Sequence, residues 1–323
     1  MRISAHFSPR WTLLALLLAL GCGDDEASTG EGSLAVLLQA EETITAGLTP
    51  GVDVENIRDG WSVSFGKYLV AIGGVSVGSD ANRLDEQSGR YRVVDLKKVP
   101  PQGTPFETLS GLPLGKRPYF GYSLVHAQDA ERDDTVSRAD YEAMVEADAT
   151  FLISGKLTKA DGESCPPGED SCRATSEVTF ELLVAQDVTF GPCELDGIAG
   201  VTIVRDSKAS VGLTLHGDHL FFNAFPFGDE LLERRAQWLV NADLDGDDRV
   251  DAAELASISG VRLAELLPSD TYSLGGWTAF PIDTALDFAR AQLATQGHYQ
   301  GEGECVWSVN GVSGEHAHED DAH

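Results

Sequence analysis

The sequence predicts a mainly β fold with an α-helical part: an antiparallel β-sandwich into which a helical region is inserted. Two changes in apolar spacing support this prediction. From Trp61 to Phe222, apolar residues alternate with polar ones or form short runs between turns rich in glycine and proline, as is typical of strands. After Phe222 the spacing changes to three and four residues, which is typical of helices, and a strand pattern returns at 305–309.

The β part begins where three apolar residues, Trp61, Val63 and Phe65, alternate with serines. Further strands are predicted at 68–77, 91–99, 119–127, 150–159, 177–190 and 200–222. The first of these has a turn or bulge at its two adjacent glycines. One helix is predicted among the strands at 137–147, with Ser137 as its N-terminal cap. Segment 33–51 is ambiguous, and a short helix is one interpretation of it.

Five carboxylates are crowded into the twelve residues 243–254, DLDGDDRVDAAE. They occupy positions 1, 3, 5, 9 and 12 of an EF-hand-type calcium loop, in which the residue at position 7 adds its backbone carbonyl. The predicted Ca²⁺ ligands are Asp243, Asp245, Asp247, Arg249, Asp251 and Glu254. Without an ion these like charges repel each other, so the pattern predicts a calcium site. The alternative is an acidic turn between helices that holds no ion.

The residues around this loop fit the prediction in most respects. Val250 is expected to pack inward, and the Arg249 side chain is expected to point outward. Helices are predicted at 229–242 and from Ala252 onward, because apolar residues recur there at spacings of three and four. Position 6, normally glycine, is Asp248, which must adopt a positive φ at a cost of about 1 kcal/mol. Such loops usually occur in pairs, and this one is single, so weak affinity is expected.

The N-terminus has the pattern of a bacterial lipoprotein signal peptide. Two arginines precede an uncharged apolar run at 11–20, which is too short to span a bilayer. The run ends in a sequence that resembles a lipobox, in which Cys22 becomes the lipidated first residue, although Ala19 departs from the usual leucine. Because Gly23 follows Cys22, the resemblance implies a lipid anchor in the outer membrane of the cell envelope. An ordinary secretory signal with an incidental cysteine is the alternative.

The chain is strongly acidic, with 52 acidic and 23 basic residues and a net charge of −29. Removal of residues 1–21 would remove two arginines and no acidic residue, which makes the net charge about −31. Such a charge excludes nucleic acid and anionic lipid surfaces as partners and favours the binding of cations. The hydrophobic fraction of 42% predicts a folded core rather than disorder.

Four cysteines follow Cys22, and in an exported chain an even number favours disulfides. Cys165 and Cys172 flank a turn-rich segment, PPGEDS, so they are predicted to pair with each other. Cys193 would then pair with Cys305 and tie the last strand to the middle of the chain. A zinc site is the competing interpretation, but the sequence lacks the CxxC spacing that is typical of such sites.

His216, His219 and His298 form a second candidate metal site. The first two belong to the segment HGDH at the end of a strand pattern. On a flat strand, residues three apart point to opposite faces, so joint binding requires a bend at Gly217. The Cys193–Cys305 bridge permits His298 to approach, and three imidazoles with a carboxylate would suit Zn²⁺ or Cu²⁺. The alternative is a turn whose polar side chains hold backbone groups.

Several short segments resemble those of uncharacterised lipoproteins of Gram-negative bacteria. They are DGWSVSFGKYLVAIG, HGDHLFF, the calcium loop and GHYQGEGEC. The resemblance supplies no activity but supports an organisation in six parts: a lipoprotein signal peptide at 1–21, a tether and linker at 22–58, a β-sandwich at 59–225, a helical region with the EF-hand-like loop at 226–298, a strand returning to the sandwich at 299–314, and a disordered acidic, histidine-rich tail at 315–323.

Taken together, these patterns predict a calcium-binding, lipid-anchored protein of the cell envelope that faces the periplasm or the cell surface. It would act as a structural or interaction module and not as an enzyme, because the zinc-protease motif and the phosphate-binding glycine loop are absent from the sequence. The alternative is a periplasmic protein that binds Zn²⁺ or Cu²⁺ through His216, His219 and His298. A hydrolase without a recognisable signature is a third class.

Overall fold

The computed structural model describes residues 30–205, 208–227 and 232–314. The predicted signal peptide, Cys22 and the tail at 315–323 lie outside the described residues. Within the described ranges, no helix is long and apolar enough to cross a membrane. The described chain is mainly β with a smaller helical part, as the sequence predicts.

The described residues contain twenty strands. These are β1 (Glu31–Ala40), β2 (Ser62–Asp80), β3 (Arg83–Gln87), β4 (Tyr91–Asp95), β5 (Thr104–Pro113), β6 (Gly115–Arg117), β7 (Tyr119–Leu124), β8 (Glu131–Arg132), β9 (Phe151–Thr158), β10 (Glu163–Ser164), β11 (Arg173–Ala174), β12 (Glu177–Val184), β13 (Val188–Leu195), β14 (Ile198–Ala199), β15 (Val201–Ile203), β16 (Lys208–Leu215), β17 (Arg249–Asp251), β18 (Gly297–Tyr299), β19 (Glu304–Val309) and β20 (Val312–Gly314). The α-helices are α1 (Glu42–Thr45), α2 (Arg138–Glu146), α3 (Gln237–Val240), α4 (Ala252–Ser257), α5 (Val261–Leu266) and α6 (Ala285–Leu293). Short 3-10 helices cover Leu96–Lys98, Ala127–Asp129 and Gly217–Phe221.

A four-stranded sheet has the order β18-β16-β1-β5. Its inner strand β1 alternates buried and partly exposed residues, with Leu34, Val36 and Leu38 fully buried. The prediction of a tether and linker at 22–58 is therefore wrong for its described part. Residues 34–38, LAVLL, form a continuous apolar run in the sequence, and a short run of this kind fits a strand or a buried helix, so the sequence left the segment ambiguous.

A second sheet, called the large sheet below, has twelve strands, of which eight follow the order β17-β12-β9-β2-β7-β13-β19-β20. Its long strand β2 pairs with β9 on one side and with β7 on the other. The predicted bulge in β2 is confirmed, because the register against β7 shifts between Gly73 and Ser76 and Gly74 adopts φ +62°. A bulge of this kind bends a long strand, so that its two halves can pair with different strands of a curled sheet.

Most strand pairs are antiparallel, but three pairs are parallel: β1 with β16, β12 with β17, and β4 with β8. The prediction of an antiparallel β-sandwich is therefore corrected for these three pairs. Parallel neighbours need a long crossover connection. For β1 and β16 that connection contains most of the large sheet, so the two sheets are interleaved along the chain.

The four-stranded sheet, the twelve-stranded sheet and the helices share one apolar core. The core includes Leu213 of the four-stranded sheet, Phe65 of the twelve-stranded sheet and Phe288 of helix α6, all buried. Helix α2 packs through its buried Met144 in a smaller cluster on another face of the large sheet. This helix was predicted with its cap: the Ser137 hydroxyl accepts a hydrogen bond from the backbone N–H of Asp140, the third residue of the helix.

Helices α3 to α6 lie in the chain between β16 and β18, two strands that pair with each other. The helix predicted at 229–242 is wrong in its described part, where only α3 is helical. Arg234 instead forms isolated bridges with Ile57 and Phe222, so tertiary pairing overrides the local helical pattern. The helix predicted from Ala252 is confirmed as α4.

The end of the helical region also differs slightly from the prediction. Helix α6 is capped by Thr284, whose side chain accepts the Asp287 N–H in a capping box. The predicted boundary at 298 falls inside β18, so His298 belongs to a strand and not to the helical region. The predicted strand at 200–222 is likewise divided into β15, β16 and a 3-10 helix.

Both predicted disulfides are confirmed: Cys165 is bonded to Cys172, and Cys193 is bonded to Cys305. The second bridge joins β13 to β19, which are neighbours in the large sheet. The four cysteines are therefore not available as thiolate ligands for zinc.

Candidate functional site

The chain passes from a strand into a 3-10 helix at His216, and this change brings two histidines to one place. Strand β16 ends one residue before His216, which caps the 3-10 helix that contains Gly217 and His219. A 3-10 turn places residues three apart on the same side. The bend that the sequence required at Gly217 is therefore present. Strand β18 pairs with β16 so that His298 lies opposite Thr214.

The three histidines meet in the interior. His216, His219 and His298 are 8%, 3% and 6% exposed, and one potential ligand atom from each lies within 4.8 Å of the others. The rings of His216 and His298 are stacked with centroids 3.9 Å apart, and His219 stands nearly perpendicular to both. The Nε2 atoms of His219 and His298 are 3.2 Å apart.

Hydrogen bonds outside the cluster fix the proton positions of two imidazoles. The Thr295 hydroxyl donates to the Gln292 carbonyl at 2.8 Å, so it accepts from Nδ1–H of His219, also at 2.8 Å. His219 therefore presents the lone pair of Nε2 to the cluster. His216 donates through Nε2 to the Gly301 carbonyl at 3.1 Å, which leaves the lone pair on Nδ1. Such bonds commonly orient metal-binding histidines.

The tyrosine hydroxyls behind the cluster hold its backbone. Tyr122 donates to the carbonyls of Thr214 and His298, at 3.2 and 3.1 Å, and so fixes β16 and β18 against the large sheet. Tyr68 instead donates to a side chain, to Oε1 of Gln296 at 2.6 Å. Burial raises the pKa of Tyr122 well above its ordinary value, so this hydroxyl keeps its proton and remains a donor.

Two carboxylates that the sequence reasoning missed lie beside the histidines. Glu41, Asp218 and His216 form a second group whose potential ligand atoms lie within 4.8 Å of one another. Asp218 is 1% exposed and pairs with Arg234 at 2.6 Å. Burial raises the pKa of Glu41, and the charge of Asp218 raises it further, whereas His216 lowers it. Asp218 is visible in the HGDH segment, but Glu41 carries no local signal of its position.

The loop 243–254 turns as the sequence requires. Asp248 adopts φ +60°, as predicted for position 6. Val250 is fully buried, and Arg249 points outward to pair with Glu181 at 3.4 Å. Strand β17 of the loop pairs with β12 of the large sheet.

Three of the predicted calcium ligands converge. Asp243, Asp245 and Glu254 each bring one carboxylate oxygen within 4.8 Å of the others. The remaining predicted carboxylates lie outside this group and bond to backbone N–H groups: Asp247 accepts from Arg249, and Asp251 caps α4. Burial raises the pKa of Glu254, and repulsion from Asp243 and Asp245 adds to the increase, against hydrogen bonds from the Leu244 and Asp251 backbone.

Arg173 is a partner of the loop that the sequence did not reveal. Its guanidinium donates to the Asp243 carboxylate at 2.8 Å and to the Asp243 carbonyl at 2.9 Å. Asp243 is fully buried and also accepts the N–H groups of Gly246 and Asp248. A fixed positive charge therefore already offsets part of the repulsion among the loop carboxylates. Arg173 lies next to Cys172, so the disulfide hairpin positions it.

The sequence contains one hydrolase-like motif. Residues 74–78, GVSVG, match the GxSxG pattern of serine hydrolases. That motif works where a strand turns sharply into a helix and exposes the serine. Ser76 lies within β2, is 5% exposed, and its hydroxyl points to the Gly121 carbonyl. The structural context of a nucleophile is therefore absent here.

No protein-family model and no curated protein matches the chain. Among solved structures, MbnP from Methylosinus trichosporium is similar at 13% identity, with a TM-score of 0.27. The similarity covers 59% of this chain and 77% of that one. A likeness at this level carries no argument about the fold or function of the present chain.

Proposed function

We propose that this protein binds a transition-metal ion, Zn²⁺ or Cu²⁺, through His216, His219 and His298. The approach of the Nε2 atoms of His219 and His298 to 3.2 Å is the observation that carries the proposal. A tetrahedral ion with metal–nitrogen distances of about 2.0–2.1 Å holds its ligand nitrogens about 3.3 Å apart. The spacing of these two imidazoles therefore matches that of two ligands on one ion.

The surroundings of the three rings support the same proposal. Thr295 and Gly301 accept the outer N–H groups of His219 and His216, which directs one lone pair of each ring inward. The alternative, a turn whose imidazoles hold backbone groups and each other, explains the outer bonds and also the 3.2 Å contact, which is a hydrogen-bonding distance between His219 and His298. The metal site accounts in addition for the third ring, because one potential ligand atom from each of the three buried histidines lies within 4.8 Å of the others.

Metal titration of the mature chain truncated after Gly314 tests this proposal, because truncation removes the tail histidines. We expect one equivalent of Zn²⁺ or Cu²⁺ to bind in calorimetry at neutral pH. His219→Ala and His298→Ala should each abolish stoichiometric binding. His126→Ala should retain it, because His126 is bonded to Asp148 and Asp187 instead. Absence of binding by the unmutated chain would contradict the proposal.

We also propose that Asp243, Asp245 and Glu254, with the other residues of the loop, hold Ca²⁺. The convergence of these three carboxylates and the positive φ of Asp248 support this second function. The ion would stabilise the helical region, which then represents an EF-hand-like insertion in a β-sandwich. The shared core of the two sheets and the pairing of β16 with β18 on either side of the helices support that description of the fold.

Thermal unfolding with and without calcium tests the second function. At a hundredfold excess over the Kd, an ion bound to the folded state stabilises it by about 2.7 kcal/mol. Glu254→Gln should remove most of this increase, because it deletes a carboxylate at the closing position. Glu265→Gln, an exposed change on α5, is the matched control. An unchanged unfolding midpoint at millimolar calcium would exclude the site.

The cell-envelope location completes the proposal. The charged N-terminus, the short apolar run and the lipobox-like junction at Cys22 support a lipid anchor. Cys22→Ser should release the protein from the membrane fraction or leave it unprocessed. A variant that is still processed and labelled by lipid would overturn this part.

A further inference from the structure

Glu41, Asp218 and His216 form a group of potential metal ligands that differs in composition from the three-histidine group. It contains two carboxylates and one imidazole, and it shares only His216 with the three-histidine group. Glu41 comes from the N-terminal cap of α1, where Thr43 N–H donates to its carboxylate. Asp218 comes from the 3-10 helix after β16. The two carboxylates therefore reach His216 from separate elements.

Asp218 gives an independent sign that a cation belongs here. It is 1% exposed, and Arg234 binds its Oδ2 atom. Among the described residues, its Oδ1 atom is buried and has no hydrogen-bond donor. Leaving a buried carboxylate oxygen without a partner destabilises the folded state. A bound cation next to Glu41 and His216 would remove that cost.

The two ligand groups differ in their access to solvent through Glu41 alone. Glu41 is half-buried, whereas Asp218, His219 and His298 are almost fully buried. The carboxylate group therefore reaches solvent through Glu41, and it is called the outer group. Because Nε2 of His216 donates to the Gly301 carbonyl, only Nδ1 of this ring has a lone pair. Both groups need Nδ1 of His216 as a ligand. An ion bound to this nitrogen is therefore completed either by the two carboxylates or by the other two histidines, but not by both at once.

We propose that Glu41, Asp218 and His216 form a loading site, which takes a divalent transition-metal ion from solvent and passes it to His219 and His298. His216 remains bound during the transfer, while carboxylate oxygens are exchanged for imidazole nitrogens. The exchange needs no electron, but the proton of His298 Nε2, which faces the Nε2 lone pair of His219 at 3.2 Å, has to leave that nitrogen before it takes the ion. The inference rests on the proposed metal site of the three histidines and adds to it the route by which the ion arrives.

Ligand chemistry gives the transfer its direction. Carboxylates attract a hydrated divalent ion by charge and raise its local concentration. Imidazoles suit Zn²⁺, Cu²⁺ and Co²⁺ better than carboxylates do. An ion therefore gains affinity as it moves from the outer group to the inner one. Arg234 offsets one carboxylate charge, so the outer group keeps a net charge that attracts the ion without holding it strongly.

The test is the rate of Co²⁺ uptake, followed by visible absorption in a stopped-flow instrument. Glu41→Gln keeps the size of the side chain and an acceptor for Thr43, and it should slow uptake at least tenfold while the equilibrium affinity changes less than threefold. Glu42→Gln, at the exposed neighbouring position, is the matched control and should be unchanged. An uptake rate of Glu41→Gln within twofold of the parent would overturn the loading site. So would a tenfold loss of affinity that arises only from faster dissociation, because Glu41 would then be a ligand of the final site.

A second measurement isolates the outer group. The double variant His219→Ala, His298→Ala should still bind Co²⁺ weakly, with the low absorption of an oxygen-rich site, and adding Glu41→Gln should abolish this binding. Failure of the double variant to bind would overturn the loading site. If the parent protein binds no Co²⁺ at all, the three-histidine site itself is wrong. Parent binding with no effect of Glu41→Gln rejects the loading site alone.

Discussion

The three-histidine site and the loop 243–254 each bring three potential ligand atoms within 4.8 Å of one another, but they are assembled in opposite ways. The loop gathers its carboxylates from twelve consecutive residues, and local turns set their spacing. The histidines come from two segments that are 79 residues apart, as measured between His219 and His298. Only the pairing of β16 with β18 makes them neighbours.

The difference in charge explains the difference in burial. Asp245 is exposed and Glu254 is half-buried, because a cluster of carboxylates is costly to remove from water. The one fully buried carboxylate, Asp243, is held by Arg173 and by backbone N–H groups. Neutral imidazoles do not carry this cost. The histidine site can therefore lie in the core, provided that its outer N–H groups find acceptors.

The largest expected effect concerns the disulfides, each of which serves one of the two regions. Loss of the Cys193–Cys305 bridge, which closes a separation of 112 residues, should lower the free energy of unfolding by about 4–5 kcal/mol and weaken transition-metal binding. Loss of Cys165–Cys172, with a separation of 7, should cost roughly 2–3 kcal/mol and weaken the calcium response instead. Urea denaturation of the two double alanine variants measures both values. The reverse ranking would contradict this assignment.

The next prediction tests whether the hydrogen bond from His219 to Thr295 orients the His219 imidazole for metal binding. Thr295→Val removes the acceptor of the His219 Nδ1–H and should lower transition-metal affinity by 10–100-fold, a range typical of such supporting groups. Calcium binding should be unaffected. Thr202→Val, an exposed change in β15, is the control. Equal metal affinities of Thr295→Val and the parent in calorimetry would show that the hydroxyl does not orient the ring.

Arg173→Gln tests whether a fixed charge substitutes for calcium in the loop. The variant should be less stable without calcium by about 1 kcal/mol, because Asp243 loses a charged donor. Its stabilisation by calcium should exceed that of the parent, since no guanidinium competes with the ion. Arg138→Gln, which removes an exposed ion pair with Glu142, should change neither quantity. A calcium response equal to or below that of the parent argues against competition.

The smallest effect is a pH dependence of the calcium-free loop. The pKa of Glu254 in the folded protein is raised from 4.5, chiefly by burial. The folded state therefore binds this proton more tightly than the unfolded state does, and stability falls as pH rises through the raised pKa. Compared with Glu254→Gln, the parent should lose stability in that window without calcium and recover it with calcium. Denaturation curves of both proteins at several pH values give the difference, and parallel pH profiles would contradict it.

The sequence by itself determined the features that depend on neighbouring residues. The positive φ of Asp248, the inward Val250, the cap of α2 at Ser137 and the bulge in β2 are all local properties of backbone and side chain. The disulfide pairing also followed from the chain, because one pair flanks a short turn and leaves the other pair no choice. Short-range interactions of this kind require little knowledge of the fold.

Only the tertiary structure decided which distant groups meet. The sequence left β1 ambiguous and assigned it to a linker, yet β1 is buried beside β16, and the residue that follows it, Glu41, reaches His216. The helix expected at 229–242 gave way to bridges between Arg234 and the residues Ile57 and Phe222. Likewise, no local pattern announces that Arg173 faces Asp243. These contacts depend on strand order and register, because the free energy of burying a whole face outweighs the local preference of any one segment.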